Sequence, residues 1–240
     1  MHDELTRNHE GHVTRLTLNR PQKANALSAS LVEALLDAVE YAYGDGTRLL
    51  ILEGVGPHFC AGFDFTDYHS ATDGELAVRF IRIESVLQAL YHAPFETMAL
   101  AHGRIFGAGA DLVASCSMRI ATPEASFRMP GLRFGVVLGT RRLAQRIGAD
   151  HARDILAASR TFGAEEARQI GFLTGVAPQP GWADLVKQAR ARCQLLNPAA
   201  AAALHRQTLQ DTRADDMAAL AHSVSAPGLK ERIRQFREHS

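Results

Sequence analysis

The run Gly103-Arg-Ile-Phe-Gly-Ala-Gly-Ala-Asp-Leu112 holds the residue types that proton chemistry needs. It reads as the end of a buried strand, a glycine-rich turn and the first turn of a helix. Gly107 and Gly109 permit backbone angles or close approaches that a side chain forbids. Amides at a helix start lack intrahelical partners and have the positive end of the helix dipole behind them, so those near Ala108 point outward. Asp111 follows one turn later on the same face. A donor for a developing oxyanion therefore lies beside a carboxylate able to move a proton. A dinucleotide-binding fingerprint would need a third glycine at position 112, where the chain has Leu.

Other chemistries find less support. Cys60, Cys116 and Cys193 are odd in number and far apart, and the eleven histidines show no HExxH or HxxxH spacing. Neither a disulfide framework nor a metal site is expected. Cys60 has no base at a matching position and reads as a small buried hydrophobe. His58 and His102 sit where they would satisfy backbone groups at strand ends. A formal net charge of zero argues against nucleic acid or an anionic membrane as the main partner. The start, Met1-His-Asp-Glu-Leu5, has neither a charged nor an apolar leader segment, and no apolar run reaches membrane-spanning length. A cytoplasmic, soluble protein is the expectation.

The elements that must hold the glycine-rich stretch follow from periodicity. Val13–Leu18 alternates like a half-buried strand, and Ser28 caps a helix running to about Tyr43. Arg48–Glu53 is a strand covered on both sides, followed by a glycine-containing loop over 54–73. Asp73 is expected to cap a helix that turns Leu76, Phe80, Ile83, Val86, Leu87 and Leu90 inward and stops before Pro94. Thr97–Ala101 is a buried strand feeding the opening stretch, and 118–121 and 125–128 read as further strands. From Thr140 onward helices dominate, at about 139–148, 149–158, 164–170, 182–195, 199–210, 215–223 and 228–238, with one short strand near Val176. The outline is an α/β core over 1–185 and a helical region over 186–240.

Three stretches in this order and spacing, Asn19-Arg-Pro-Gln-Lys-Ala-Asn-Ala-Leu27, Phe59-Cys-Ala-Gly-Phe-Asp-Phe65 and Gly103 to Leu112 with Cys116, resemble the crotonase superfamily, the enoyl-CoA hydratase/isomerase fold. Phe127, Leu143 to Gly148 and Phe162 to Phe172 extend the likeness over nearly the whole chain. The resemblance implies a spiral of ββα units, a C-terminal helical trimerisation region forming trimers or dimers of trimers, and an acyl-CoA thioester as substrate, with coenzyme A its only cofactor-like part. It further implies that the amides of Phe63 and Ala108 hold the thioester oxygen, with Asp111 as acid/base. Lys23, Ala24 and Ala26 resemble the coenzyme A-holding loop, with Ala61, Asp64 and Phe65 near the nucleotide. Gly62, Gly107 and Gly131 join the substrate-binding set, and Lys230, Arg232 and Arg234 are candidates for phosphate contacts. Whatever the family, an enolate collects charge on the thioester oxygen, and one pre-aimed donor there contributes about 3–4 kcal/mol.

The chain departs from the family pattern at the acids. Hydratases carry two glutamates; here the first position is Asp111 and the second, after Met129-Pro130, is Gly131. Leu132 stands where single-base isomerases place a glutamate, Gly135–Thr140 is shorter than the family's segment, and Ser117 replaces an aspartate. Hydration needs one group to activate water and another to deliver a proton. Asp is also shorter than Glu by one bond, about 1.5 Å, and misplacement of about 1 Å costs on the order of 100-fold. A single-base proton shift, isomerase-like, is expected ahead of hydration. Decarboxylation, carbon–carbon cleavage or thioester hydrolysis is the alternative, with Tyr68 or His69 assisting. The reading from another class is a catalytically silent acyl-CoA binder.

Overall fold

The computed structural model describes residues 4–239. Met1 to Asp3, part of the start read for a leader, lie outside the described residues, as does Ser240. The main sheet takes its strands in the order β1 (Leu5–Glu10), β2 (Val13–Leu18), β3 (Leu49–Gly54), β4 (Glu96–Ala101), β6 (Met118–Ala121) and β9 (Gly175–Val176). β1 and β2 pair antiparallel, and each later neighbour pairs parallel. A smaller sheet joins β5 (Arg104–Phe106), β7 (Ser126–Arg128) and β8 (Phe162–Gly163). After β1–β3 the chain crosses between the two sheets, from β4 to β5, from β6 to β7 and from β8 to β9, as in a spiral of ββα units.

The buried run Leu49-Leu-Ile-Leu52 is central because parallel strands are covered on both faces. On one face Leu50 and Leu52 pack beneath α1 (Ala29–Ala42) and α2 (Asp73–Tyr91). On the other, Leu49 and Ile51 join Met98, Leu100 and Trp182. Ser28 caps α1 by accepting from the Leu31 amide at 3.1 Å. The cap of α2 is Thr72, not Asp73: Thr72 and Glu75 form a reciprocal capping box. Asp73 instead accepts from the amides of Gly228, Leu229 and Lys230, capping α10 (Leu229–Glu238) from 155 residues away. That tie and the packing of α9 (Arg213–Ser225) on α2 draw the C-terminal helices onto the core. The sequence boundary at 185/186 falls inside α7 (Trp182–Cys193).

β1 and β8 have no counterpart in the sequence reading. β1 is polar and exposed along most of its length, so it shows no alternation, and β8 is two residues long. No described helix is long and apolar enough to cross a membrane.

Candidate active site

Three loops meet in front of α3 (Ala108–Ser115). The Leu27 amide donates to Gly62 O at 2.7 Å, Asp64 N to Leu27 O at 3.3 Å, and Phe106 N to Cys60 O at 3.1 Å. Asn25 locks the first loop: buried, at φ +54°, it accepts from Arg20 N through Oδ1 and donates through Nδ2 to Val55 O and His58 O. Ala24 adopts the left-handed region beside it, at φ +48°.

Glycine is required where these loops cross. Gly62, at φ +86°, lies so close to β5 that a Cβ there would come 2.5 Å from Phe106 O and 3.1 Å from Ala108 N. The Gly62–Phe63 peptide is thereby pressed beside the first amide of α3. Neither the Phe63 nor the Ala108 amide has a hydrogen-bond acceptor among the described residues. Gly109 is needed for packing, since a Cβ would meet Cys60 O at 2.3 Å. Gly107, at φ +51°, turns β5 into α3 while its amide donates to Arg128 O.

Behind this junction a cavity of about 180 Å³ is walled by Phe63, Phe65, Phe80 and Phe134, with Ala61, Gly107, Ala108, Asp111 and Gly131 on its surface. Asp111 is the one carboxylate among its lining residues. It is 3% exposed, its Oδ1 is buried without a hydrogen-bond partner, and Gly139 faces it so closely that a Cβ would come 1.9 Å from Oδ1. Loss of water around the carboxyl group pushes its pKa up to about 8, against the pull of Arg142 and with a smaller push from Glu84. Gly131 lines the cavity without a side chain, where a Cβ would come 3.1 Å from Val136 O, and Thr140 adds a buried hydroxyl to the lining. A larger cavity of about 690 Å³, bounded by Arg48, Phe95, Arg192, Leu195 and Leu204, touches none of these groups.

Asp64 is already engaged: it pairs with Arg20 at 2.9 Å, and its Oδ1 accepts from the amide and hydroxyl of Thr66. Those partners hold its carboxyl below the usual range against the opposing effect of burial. Lys23 is exposed, with Nζ 3.5 Å from Thr66 Oγ. The expected phosphate contacts from α10 meet a structural objection. Arg232 donates to Phe134 O, Ser223 O and Ala226 O, and Arg234 is tied between Glu231 and Glu238. Arg237 is instead the exposed cation over the Phe65 and Tyr68 rings, at 5.3 Å from each.

Tyr68 is buried against Phe65 and meets the His69 ring at a tilt of 38°, and neither lines the cavity that holds Asp111. Cys60 is fully buried, its thiol pushed up to about 12 by burial, with Sγ donating to Asn25 O. His102 bonds Gly56 O, and His58 accepts from the Arg104 amide, as strand-end residues do. Sequence reasoning missed Glu84, Arg142 and Gly139. Glu84 did carry a signal, a charge on the inward face of α2 between Phe80 and Leu87.

The enoyl-CoA hydratase/isomerase family model matches residues 8–227. The chain belongs to that family. A probable enoyl-CoA hydratase of Mycobacterium leprae is 32% identical over 184 residues, covering 72% of each chain. One from Mycobacterium bovis is 34% identical over 164 residues, which span 67% of this chain and 65% of that relative. The crystal structure of an enoyl-CoA hydratase/isomerase family protein from Bordetella parapertussis superposes with a TM-score of 0.96 at 49% identity, covering 98% of both chains. An enoyl-CoA hydratase of Bacillus halodurans, 20% identical, shares the fold with a TM-score of 0.85 over 97% of this chain and 99% of its own.

Proposed function

We propose that the protein is an acyl-CoA-processing enzyme that stabilises a thioester enolate and moves a proton with Asp111. The observation that carries this reading is the meeting of an unpartnered buried carboxylate with two amides lacking acceptors, from residues 63 and 108, around one apolar cavity. The thioester oxygen accepts from both N–H groups. As a proton leaves the α or γ carbon, the negative charge that gathers on that oxygen meets donors already in place.

Asp111 takes the proton from one carbon and returns it to the other, which shifts a double bond with no net change in protons. An acid whose pKa lies near ambient pH suits both halves of that transfer. Gly131 supplies no second acid to activate water, so isomerisation is favoured over hydration. Phenylalanine walls suit an apolar acyl group. Lys23 and Arg237, exposed beside Phe65 and Thr66, are placed to meet coenzyme A phosphates. Tyr68 and His69 lie off the cavity, so reactions that need a second loop acid lose support.

The test is α-proton exchange in deuterated water with a panel of coenzyme A thioesters, comparing wild type with Asp111→Asn. Exchange should fall by at least about 100-fold in the variant while thioester binding survives. Exchange in neither protein, with binding intact, would establish the silent binder. Exchange that persists in the variant moves the base elsewhere.

A further inference from the structure

Behind Asp111, away from the cavity, lies a second buried charge system. Arg142 of α4 (Thr140–Ile147) donates to Glu84 of α2 at 2.8 Å, with side chains 2% and 1% exposed. Removing two charges from water costs several kcal/mol each, and a surface pair would contribute about as much stability without that cost. Stability alone is therefore a poor account of the pair. Its atoms are also incompletely used: Glu84 Oε2 and Arg142 Nε and Nη1 are buried with no partner, as are Asp111 Oδ1 and Thr140 Oγ1. Native interiors leave few polar atoms in that state. Five such atoms gather on three neighbouring helices, since α3 packs against both α2 and α4.

We propose that the Glu84–Arg142 pair, buried behind the Asp111 carboxyl group, acts on it through space and governs when it carries its proton. The inference rests on the reading of Asp111 as acid/base. Gly139 brings the start of α4 against the carboxyl group, and Arg142, in the first turn of that helix, carries the guanidinium. Arg142 would favour the carboxylate form, and Glu84 would both hold Arg142 in place and oppose that form.

Arg146 shares the Tyr91 ring of α2 with Arg142, at 4.8 and 5.3 Å, and the other charges on the elements packed here have partners of their own or are exposed. On α2, Arg79 lies over the Phe63 ring and donates to Asp64 O, and Arg82 pairs with Glu33. On α4, Arg141 pairs with Asp216, and Arg146 donates to Ala114 O and Cys116 O. Arg104 of β5 is exposed. Glu96 of β4 accepts from Ser117 and pairs with Arg192. Arg128, on the cavity wall, donates Nε to Ser159 O.

The decisive measurement is a titration of the Asp111 side-chain carbon by NMR in full-length protein labelled with 13C-aspartate. The resonance is assigned by its loss in Asp111→Asn. Glu84→Gln keeps the shape and removes the negative charge, so the Asp111 midpoint should fall by about one pH unit. Arg142→Gln should raise it by a similar amount, and Arg142→Lys should leave it near wild type. A packing role alone would give loss of stability without opposite shifts. Midpoints that stay put, or move the same way in Glu84→Gln and Arg142→Gln, overturn the proposal. Should Arg142→Gln not fold, a midpoint unmoved in Glu84→Gln overturns it by itself. The readout needs no substrate: midpoints that move as stated while exchange is absent would uphold the pair's role and defeat the proposed reaction.

Discussion

Asp111 combines full burial, an unpartnered oxygen and a carboxyl group pushed up to about 8, chiefly by loss of water. The consequence for stability has a definite sign. The folded chain holds this proton more tightly than the unfolded chain, whose aspartates titrate near about pH 4. The stabilising contribution is full below that pH and is lost as pH rises through about 8. Asp111→Asn has no such loss. Melting curves should therefore show the variant gaining on wild type between pH 4 and 9, at ~2–4 °C for each kcal/mol. A difference that stays flat across this range would mean that the carboxyl group is not held protonated. Sequence placed Asp111 at a helix start, where the dipole favours the ionised form. Burial outweighs that effect because the neighbouring helices exclude water, which one segment cannot reveal.

At the scale of elements, α3 is a short helix whose placement depends on two glycine-lined crossings and on the opening turn of α4. Gly139 is the sensitive point, at φ +63° with Asp111 directly opposite. Gly139→Ala should displace the carboxyl group and reduce exchange on the order of 100-fold, whereas Gly44→Ala, with open space around it, should leave exchange unchanged. Equal rates in both variants would show that the contact has no part in positioning. A second element-level dependence is the cap that Asp73 provides to α10. Asp73→Ala should cost about 1–2 kcal/mol in denaturant unfolding. It should also loosen Phe236, which α10 brings to the cavity wall. Local pattern alone points Asp73 at its own helix, because an acidic residue at a helix start looks the same whether it caps that helix or one 155 residues away.

For the whole molecule, α1 and α2 cover one face of the main sheet and α7 the other, while α9 and α10 pack on α2, so the C-terminal half helps to close the core around the site. The surface around α7 and α8 (Pro198–Thr208) is less complete: Leu195, Leu196 and Leu204 remain exposed, Leu195 by 80%, beside the 690 Å³ cavity. Contiguous apolar surface of this kind suits contact with further copies of the chain, and a trimer or dimer of trimers is the proposed assembly. Leu195→Asp should then lower the mass seen in solution by light scattering without altering the far-UV CD spectrum. A wild-type protein that is monomeric at high concentration would remove this assembly.

What the sequence determined by itself was local. Apolar periodicity placed α1, α2, β2, β3 and β4, because burial of one face or both is written into residue order. The three spaced stretches also pointed to some of the residues that line the cavity, among them Phe63, Ala108 and Asp111. Only the tertiary structure decided the state of those groups. The dryness around Asp111, the Glu84–Arg142 pair behind it, the engagement of Asp64 by Arg20 and the capping of α10 by Asp73 all join residues distant in the chain. Solvation and charge act through space, so their sum at a carboxyl group exists only once the chain has closed around it.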